Sequence, residues 1–104
     1  MPEADFGRST RWLTALTLDP EKCETGREEI INALEKANIE ARPLWKPMHL
    51  QPLFQRCAYF PHDKEESISD GLFQQGLCLP SGSNLSPEDQ ERVITGMRRC
   101  LNGD

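Results

Sequence analysis

The chain has 104 residues, 37% of them hydrophobic and 28% charged, a composition that suits one folded domain with a modest core and excludes a disordered tail. Twelve basic against seventeen acidic residues leave a net charge of −5, and the arginines and lysines are scattered. A nucleic-acid binder needs a basic face with interleaved aromatics, so that class is set aside.

In chain order, "MPEADFGRST" carries neither a basic leader region nor an apolar one, and no apolar run reaches membrane-spanning length. The expected compartment is the cytoplasm, with residues 1–10 a flexible segment and 11–104 a single small domain. "RWLTALTLDP" alternates Trp12, Thr14, Leu16 and Leu18 with Leu13, Ala15 and Thr17, and Asp19-Pro20 ends it. This predicts a strand covered on at least one side by helices.

"TGREEIINALEKANI" follows. Thr25 is placed to cap a helix, Glu28 to return the bond three residues later, and acidic residues fill the first turn. Ile30, Ile31, Leu34 and Ala37 recur at helical spacing, and Asn38 is a natural stop. Ile39 to Arg42 predicts a short strand that ends before the first proline.

"RPLWKPMHLQP", residues 42–52, is braced by Pro43, Pro47 and Pro52. Each proline fixes its own φ and pushes the preceding residue, Arg42, Lys46 or Gln51, towards extended geometry. The stretch predicts a stiff extended arm carrying Trp45, Lys46 and His49.

Beyond it, "LFQRCAYF" mixes signals, and "EESISDGLFQQG" predicts a short helix with Ile68, Leu72 and Phe73 on one face and Gly76 as a positive-φ stop. "LCLP" reads as a strand. A last helix begins with Ser86 as N-cap and Pro87 in its first turn, and Val93, Ile94, Met97 and Leu101 form its buried stripe. The order of elements predicts a two-layer α/β (α+β) sandwich, a short sheet of about three strands covered mainly on one face by helices.

Single motifs prove no chemistry. Cys23, Cys57, Cys78 and Cys100 lack metal-binding spacing, and four reduced, partly buried thiols are expected. His49 beside Lys46 has the makings of an acid–base pair, although a lone loop histidine is more often a structural hydrogen-bonding group. "PSGSN" is no nucleophile elbow; it offers a turn and capping groups, or backbone amides to a phosphate, but no Walker or Rossmann glycine pattern accompanies it. Trp45 suits a stacking surface or a core position.

Taken together, "STRWLTALTLDP", "RPLWKPMHLQPLF" and "LFQQGLCLPSGSNLSPEDQERVI", in that order over nearly the whole chain, resemble the C-terminal small domain of the DegT/DnrJ/EryC1/StrS sugar aminotransferases. These are fold-type I enzymes that use pyridoxal phosphate. The resemblance implies amino transfer, usually from glutamate, to a keto-sugar nucleotide, in a homodimer with its active sites at the subunit interface. It implies that a large N-terminal domain, missing here, holds the cofactor, its Schiff-base lysine and the aspartate facing the pyridine nitrogen.

None of Lys22, Lys36, Lys46 and Lys64 stands in the family's cofactor-lysine context. The chain alone is therefore expected to bind no cofactor and to be inactive. It reads either as part of such an enzyme or as a free-standing interaction or ligand-binding module derived from one. In the intact enzyme the arm would present Trp45 to a ring or base face, Lys46 to a phosphate or carboxylate, and His49 to a hydroxyl or phosphate; packing the two domains together is the other role open to it.

Overall fold

The computed structural model describes residues 3–63 and 65–103. Three short strands form one sheet: β1 (Thr14–Thr17), β2 (Arg42–Pro43) and β3 (Gly76–Leu79). Their order is β1-β3-β2, with both edge strands antiparallel to β3. Leu16 and Pro43 both pair with Leu77, and Ala15 and Arg42 both pair with Cys78.

Because side chains alternate along a strand, Leu16, Leu77 and Leu79 belong to one face and Ala15, Cys78 and Arg42 to the other. The first face is covered by α1 (Arg27–Lys36) and α3 (Pro87–Asn102), which pack against each other. Ile30, Leu34, Ile39, Leu77, Val93 and Met97 form the buried core. The expected two-layer α/β arrangement, three strands with helices on one face, is the one observed.

Local chemistry explains the boundaries. Ser86 accepts the Asp89 N–H at 3.1 Å, Pro87 opens α3, and Gly103 closes it at φ 72°; these are the ordinary N-cap and left-handed C-cap devices. α1 starts one residue later than expected. Gly26 is its N-cap, and Glu29 rather than Glu28 accepts the Gly26 N–H, at 3.3 Å. The Thr25 hydroxyl is committed elsewhere, donating to the Cys100 carbonyl at 2.9 Å. Asn38 ends the helix with φ 57°, a backbone state that asparagine tolerates.

Three further expectations are corrected. The second strand includes Pro43 instead of stopping before it, which is possible because β2 is an edge strand and the missing N–H costs no ladder bond there. Gly76 ends α2 (Ile68–Gln75) at φ −99°, not at positive φ. Glycine is required for space: a Cβ would run into the Leu44 side chain and the Leu72 carbonyl oxygen. Leu101 is exposed, and Cys100 packs against the core in its place.

The arm is only partly extended. Pro47 and Gln51 have ψ of 145° and 140°, but Met48–Leu50 and Pro52–Phe54 each form a 3-10 turn. A proline's fixed φ is compatible with a first helical position, so Pro52 starts a turn where rigidity alone suggested a strand-like run. Ile68 and Leu72 of α2 are exposed and only Phe73 is half-buried, so that helix does not bury the face its pattern suggested. Among the described residues no helix is long and apolar enough to cross a membrane.

Candidate functional site

The sheet face that the helices leave open carries Cys78 and Arg42, and an open cleft of about 820 Å³ lies there. Leu13, Leu44, Phe73 and Pro80 also line it, with Trp12 and Trp45 at its border. The two indole rings lie 5.8 Å apart and are tilted by 38°, within the range of favourable aromatic pairs. Trp12 is 71% exposed and Trp45 66%, so each offers most of its surface to an incoming group.

Two hydrogen bonds hold this border. Ser81, in the turn after β3, donates its hydroxyl to the Trp12 carbonyl at 3.0 Å. The Gln51 side-chain amide donates to the Lys46 carbonyl at 3.1 Å, closing the arm on itself. The "PSGSN" residues thus act as a turn and a tie, and Leu85 N–H closes the turn on the Gly82 carbonyl at 3.0 Å. Arg42 is paired with Glu40, Nε to Oε1 at 2.6 Å, at the cleft's edge.

The three arm residues do not converge. Among the described residues the cleft lining includes Trp45 but neither Lys46 nor His49. Lys46 is exposed. His49 sits in a separate cluster, its Nε2 2.6 Å from Asp70 Oδ1 of α2 and its ring stacked on Tyr59, with centroids 3.6 Å apart and planes 15° apart. The Nε2–Oδ1 contact is close but poorly aligned for an N–H···O bond, and among the described residues neither atom has another hydrogen-bond partner. His49 is thus packed between Asp70 and Tyr59 and lies away from the cleft.

Two partners were not evident in the sequence. In sequence Trp12 is only a strand residue; its meeting with Trp45 becomes visible once β1 and the arm stand on either side of β3. Arg27, at the start of α1, donates to the Phe73 carbonyl and lies 4.9 Å above the Phe73 ring, tying α1 to the end of α2. Cys57 is exposed while Cys23, Cys78 and Cys100 are half-buried, and all four are free thiols, which corrects the expectation for Cys57.

The sequence profile of the DegT/DnrJ/EryC1/StrS aminotransferase family matches residues 1–98. The chain belongs to this family. It is 49% identical over 94 residues to EpsN of Bacillus subtilis (strain 168), named as a pyridoxal phosphate-dependent aminotransferase, covering 90% of the chain and 24% of that protein. It is 30% identical over 95 residues to the GDP-perosamine synthase of Caulobacter vibrioides, covering 91% of the chain and 24% of that enzyme.

The fold matches the aminotransferase TlmJ of Streptoalloteichus hindustanus with a TM-score of 0.77 at 19% identity, over 99% of the chain and 25% of that structure. It also matches a sugar aminotransferase of Streptococcus pneumoniae, Spr1654 in its PMP form, with a TM-score of 0.75 at 23% identity, over 91% of the chain and 23% of that structure. At these identities the structures speak for the fold alone. The chain spans about a quarter of the length of the curated relatives it matches, the quarter that the sequence resemblance assigns to the C-terminal small domain.

Proposed function

We propose that this chain is the closing small domain of a pyridoxal phosphate-dependent aminotransferase that moves an amino group from an amino-acid donor, usually glutamate, to a keto-sugar nucleotide. Residues 11–104 form the domain, and residues 1–10 lead into it. The reading is supported above all by the surface the chain leaves uncovered. Its accessible area is 8796 Å², whereas a compact monomer of this mass exposes about 5,900 Å². Its radius of gyration is 16.1 Å against about 13 Å for a compact chain of this length.

The excess includes the open sheet face and a set of exposed large apolar side chains, among them Trp12, Trp45, Leu53 and Phe60. Surfaces of this kind are covered by a partner. The partner that fits is the larger part that the curated relatives possess, together with a second subunit. In that assembly the sheet-edge tryptophans would border the substrate, Trp45 giving a flat apolar face and Lys46 a charge for phosphate or carboxylate.

The residues present do not by themselves suit the cofactor. The lining of the cleft contains no lysine among the described residues, and Lys22 is an exposed surface residue paired with Asp19 at 3.0 Å. The aldehyde chemistry of the cofactor therefore belongs to the partner portion. The cytoplasmic location expected from the sequence goes with this reading.

The test is direct. The purified chain, given pyridoxal phosphate, glutamate and a keto-sugar nucleotide, is expected to form no amino sugar and no lysine-dependent absorbance band. Steady turnover by these 104 residues would overturn the proposal.

A further inference from the structure

We propose that His49 anchors the arm to the domain and that Asp70 and Tyr59 are the residues that position it. The arm needs such an anchor. No residue from 40 to 63 is fully buried, so apolar burial alone does not hold this segment in place. Its 3-10 turns rest on the Leu50 N–H bonded to the Pro47 carbonyl at 3.0 Å, and the Gln51 and Phe54 N–H groups bonded to the Met48 and Gln51 carbonyls at 3.1 and 2.9 Å. Isolated turns of this length are weak.

The His49 side chain is 17% exposed and is set against Asp70, 28% exposed. His49 Nε2 and Asp70 Oδ1 are closed to solvent and face each other. Among the described residues each is the only polar contact the other makes, and a desolvated polar atom left without such a contact is costly, so each residue holds the other in place. Tyr59 adds a second strap: its ring stacks on the imidazole, and its hydroxyl lies 2.8 Å from Ser67 Oγ and 3.4 Å from Ser69 Oγ. Ser67 is itself the N-cap of α2, accepting the Asp70 N–H at 3.4 Å. Two points of the one connection between β2 and α2 are therefore fastened to the first turn of α2.

The consequence reaches the cleft. His49 lies in the turn between Pro47 and Gln51, and Gln51 in turn holds the Lys46 carbonyl. Fixing His49 fixes where Lys46 and its neighbour Trp45 stand. Only this last consequence rests on the functional reading above; the anchor is a property of the chain itself.

Amide hydrogen exchange of the full chain tests the anchor. In Asp70→Ala and His49→Ala, the Leu50, Gln51 and Phe54 amides are expected to exchange about tenfold faster while Leu34 and Ile30 in α1 hold their rates. The paired variant His49→Gln with Asp70→Asn supplies a neutral amide pair and is expected to recover most of the protection. Tyr59→Phe, which removes only the hydroxyl strap, is expected to speed the same amides by a smaller factor. In a Trp12→Phe background, Trp45 emission is expected to shift in the single variants and return in the paired one.

Unchanged exchange at Leu50 and Gln51 in Asp70→Ala, or acceleration only in step with Leu34, would overturn the anchor, as would a paired variant no better than either single one. If Asp70→Ala does not fold, the Tyr59→Phe result decides: no local acceleration overturns the proposal. A chain that shows the coupling yet binds no UDP- or GDP-sugar when mixed with the cofactor-bearing portion of a relative supports the anchor and defeats the functional reading.

Discussion

Gly96 of α3 lies so close against Leu34 of α1 that a Cβ added at Gly96 would stand 2.8 Å from Leu34 Cδ2. Leu34 is 1% exposed and cannot swing into solvent, so the two helices depend on glycine to pack at this distance. Alanine favours the helix by about 1 kcal/mol, but forced overpacking of a core costs about 1–3 kcal/mol. Gly96→Ala is therefore expected to lose on the order of 1 kcal/mol net, and Gly96→Val more, read as a lower urea midpoint with an unchanged slope. A stabilised Gly96→Ala chain would show that the helices have room to part.

Gly76 stands where α2 turns directly into β3, and its position is constrained by backbone as well as side chain. A Cβ there meets the Leu72 carbonyl and Leu44, and the Leu44 N–H is bonded to the Gly76 carbonyl at 3.1 Å. Gly76→Ala is expected to destabilise the chain by about 2–3 kcal/mol and to disturb the pairing of β2 with β3. Chemical-shift changes confined to α2, with β2 intact, would contradict this.

Arg27 is the strap between α1 and the end of α2. Its side chain is 12% exposed, its guanidinium donates to the Phe73 carbonyl and covers the Phe73 ring. Its Nε is buried and without a partner among the described residues. Arg27→Ala leaves the Phe73 carbonyl without this partner and is expected to cost about 1.5–3 kcal/mol. Arg27→Lys, which cannot cover the ring as a planar group, is expected to recover less than half of that. Calorimetric unfolding of the two variants checks both the size and the order.

Much of the fold was legible, and the failures share a cause. Ser86, Pro87 and the apolar stripe at Val93 and Met97 announced α3 because their physics is local to one helix. Thr25 misled because its hydroxyl serves the Cys100 carbonyl, a partner 75 positions away that no local pattern reveals. Gly76 was correctly marked as a stop, but for conformation when the true constraint is the space taken by Leu44. Of the site, Trp45 stands at the cleft's border, whereas its partner Trp12 emerged only when the sheet order brought β1 and the arm to either side of β3. His49 was open in sequence to a substrate or a structural role; its neighbours Asp70 and Tyr59 lie on a helix and a loop beyond the arm, where no local pattern reveals them.

The thiols make a separate, inexpensive check on the packing. Cys57 is exposed, whereas Cys100 packs against the core and Cys23 donates to the Thr25 carbonyl at 3.3 Å. Since reaction with a disulfide reagent follows access as well as thiolate character, one thiol is expected to react in a fast phase, and Cys57→Ser to remove that phase. Two or more equivalents in the fast phase would mean that the half-buried cysteines open readily.

The most direct measurement joins the chain to the larger part that its relatives possess. The segment of EpsN that aligns with this chain, 94 residues at 49% identity, is replaced by the corresponding residues here, and turnover of the chimera is followed with glutamate and keto-sugar nucleotides. An active chimera is expected, with a kcat/KM that falls about tenfold or more with Trp45→Ala or Lys46→Ala while its cofactor absorbance is retained. A folded, cofactor-loaded chimera with no activity, or one indifferent to both substitutions, would contradict the proposed function.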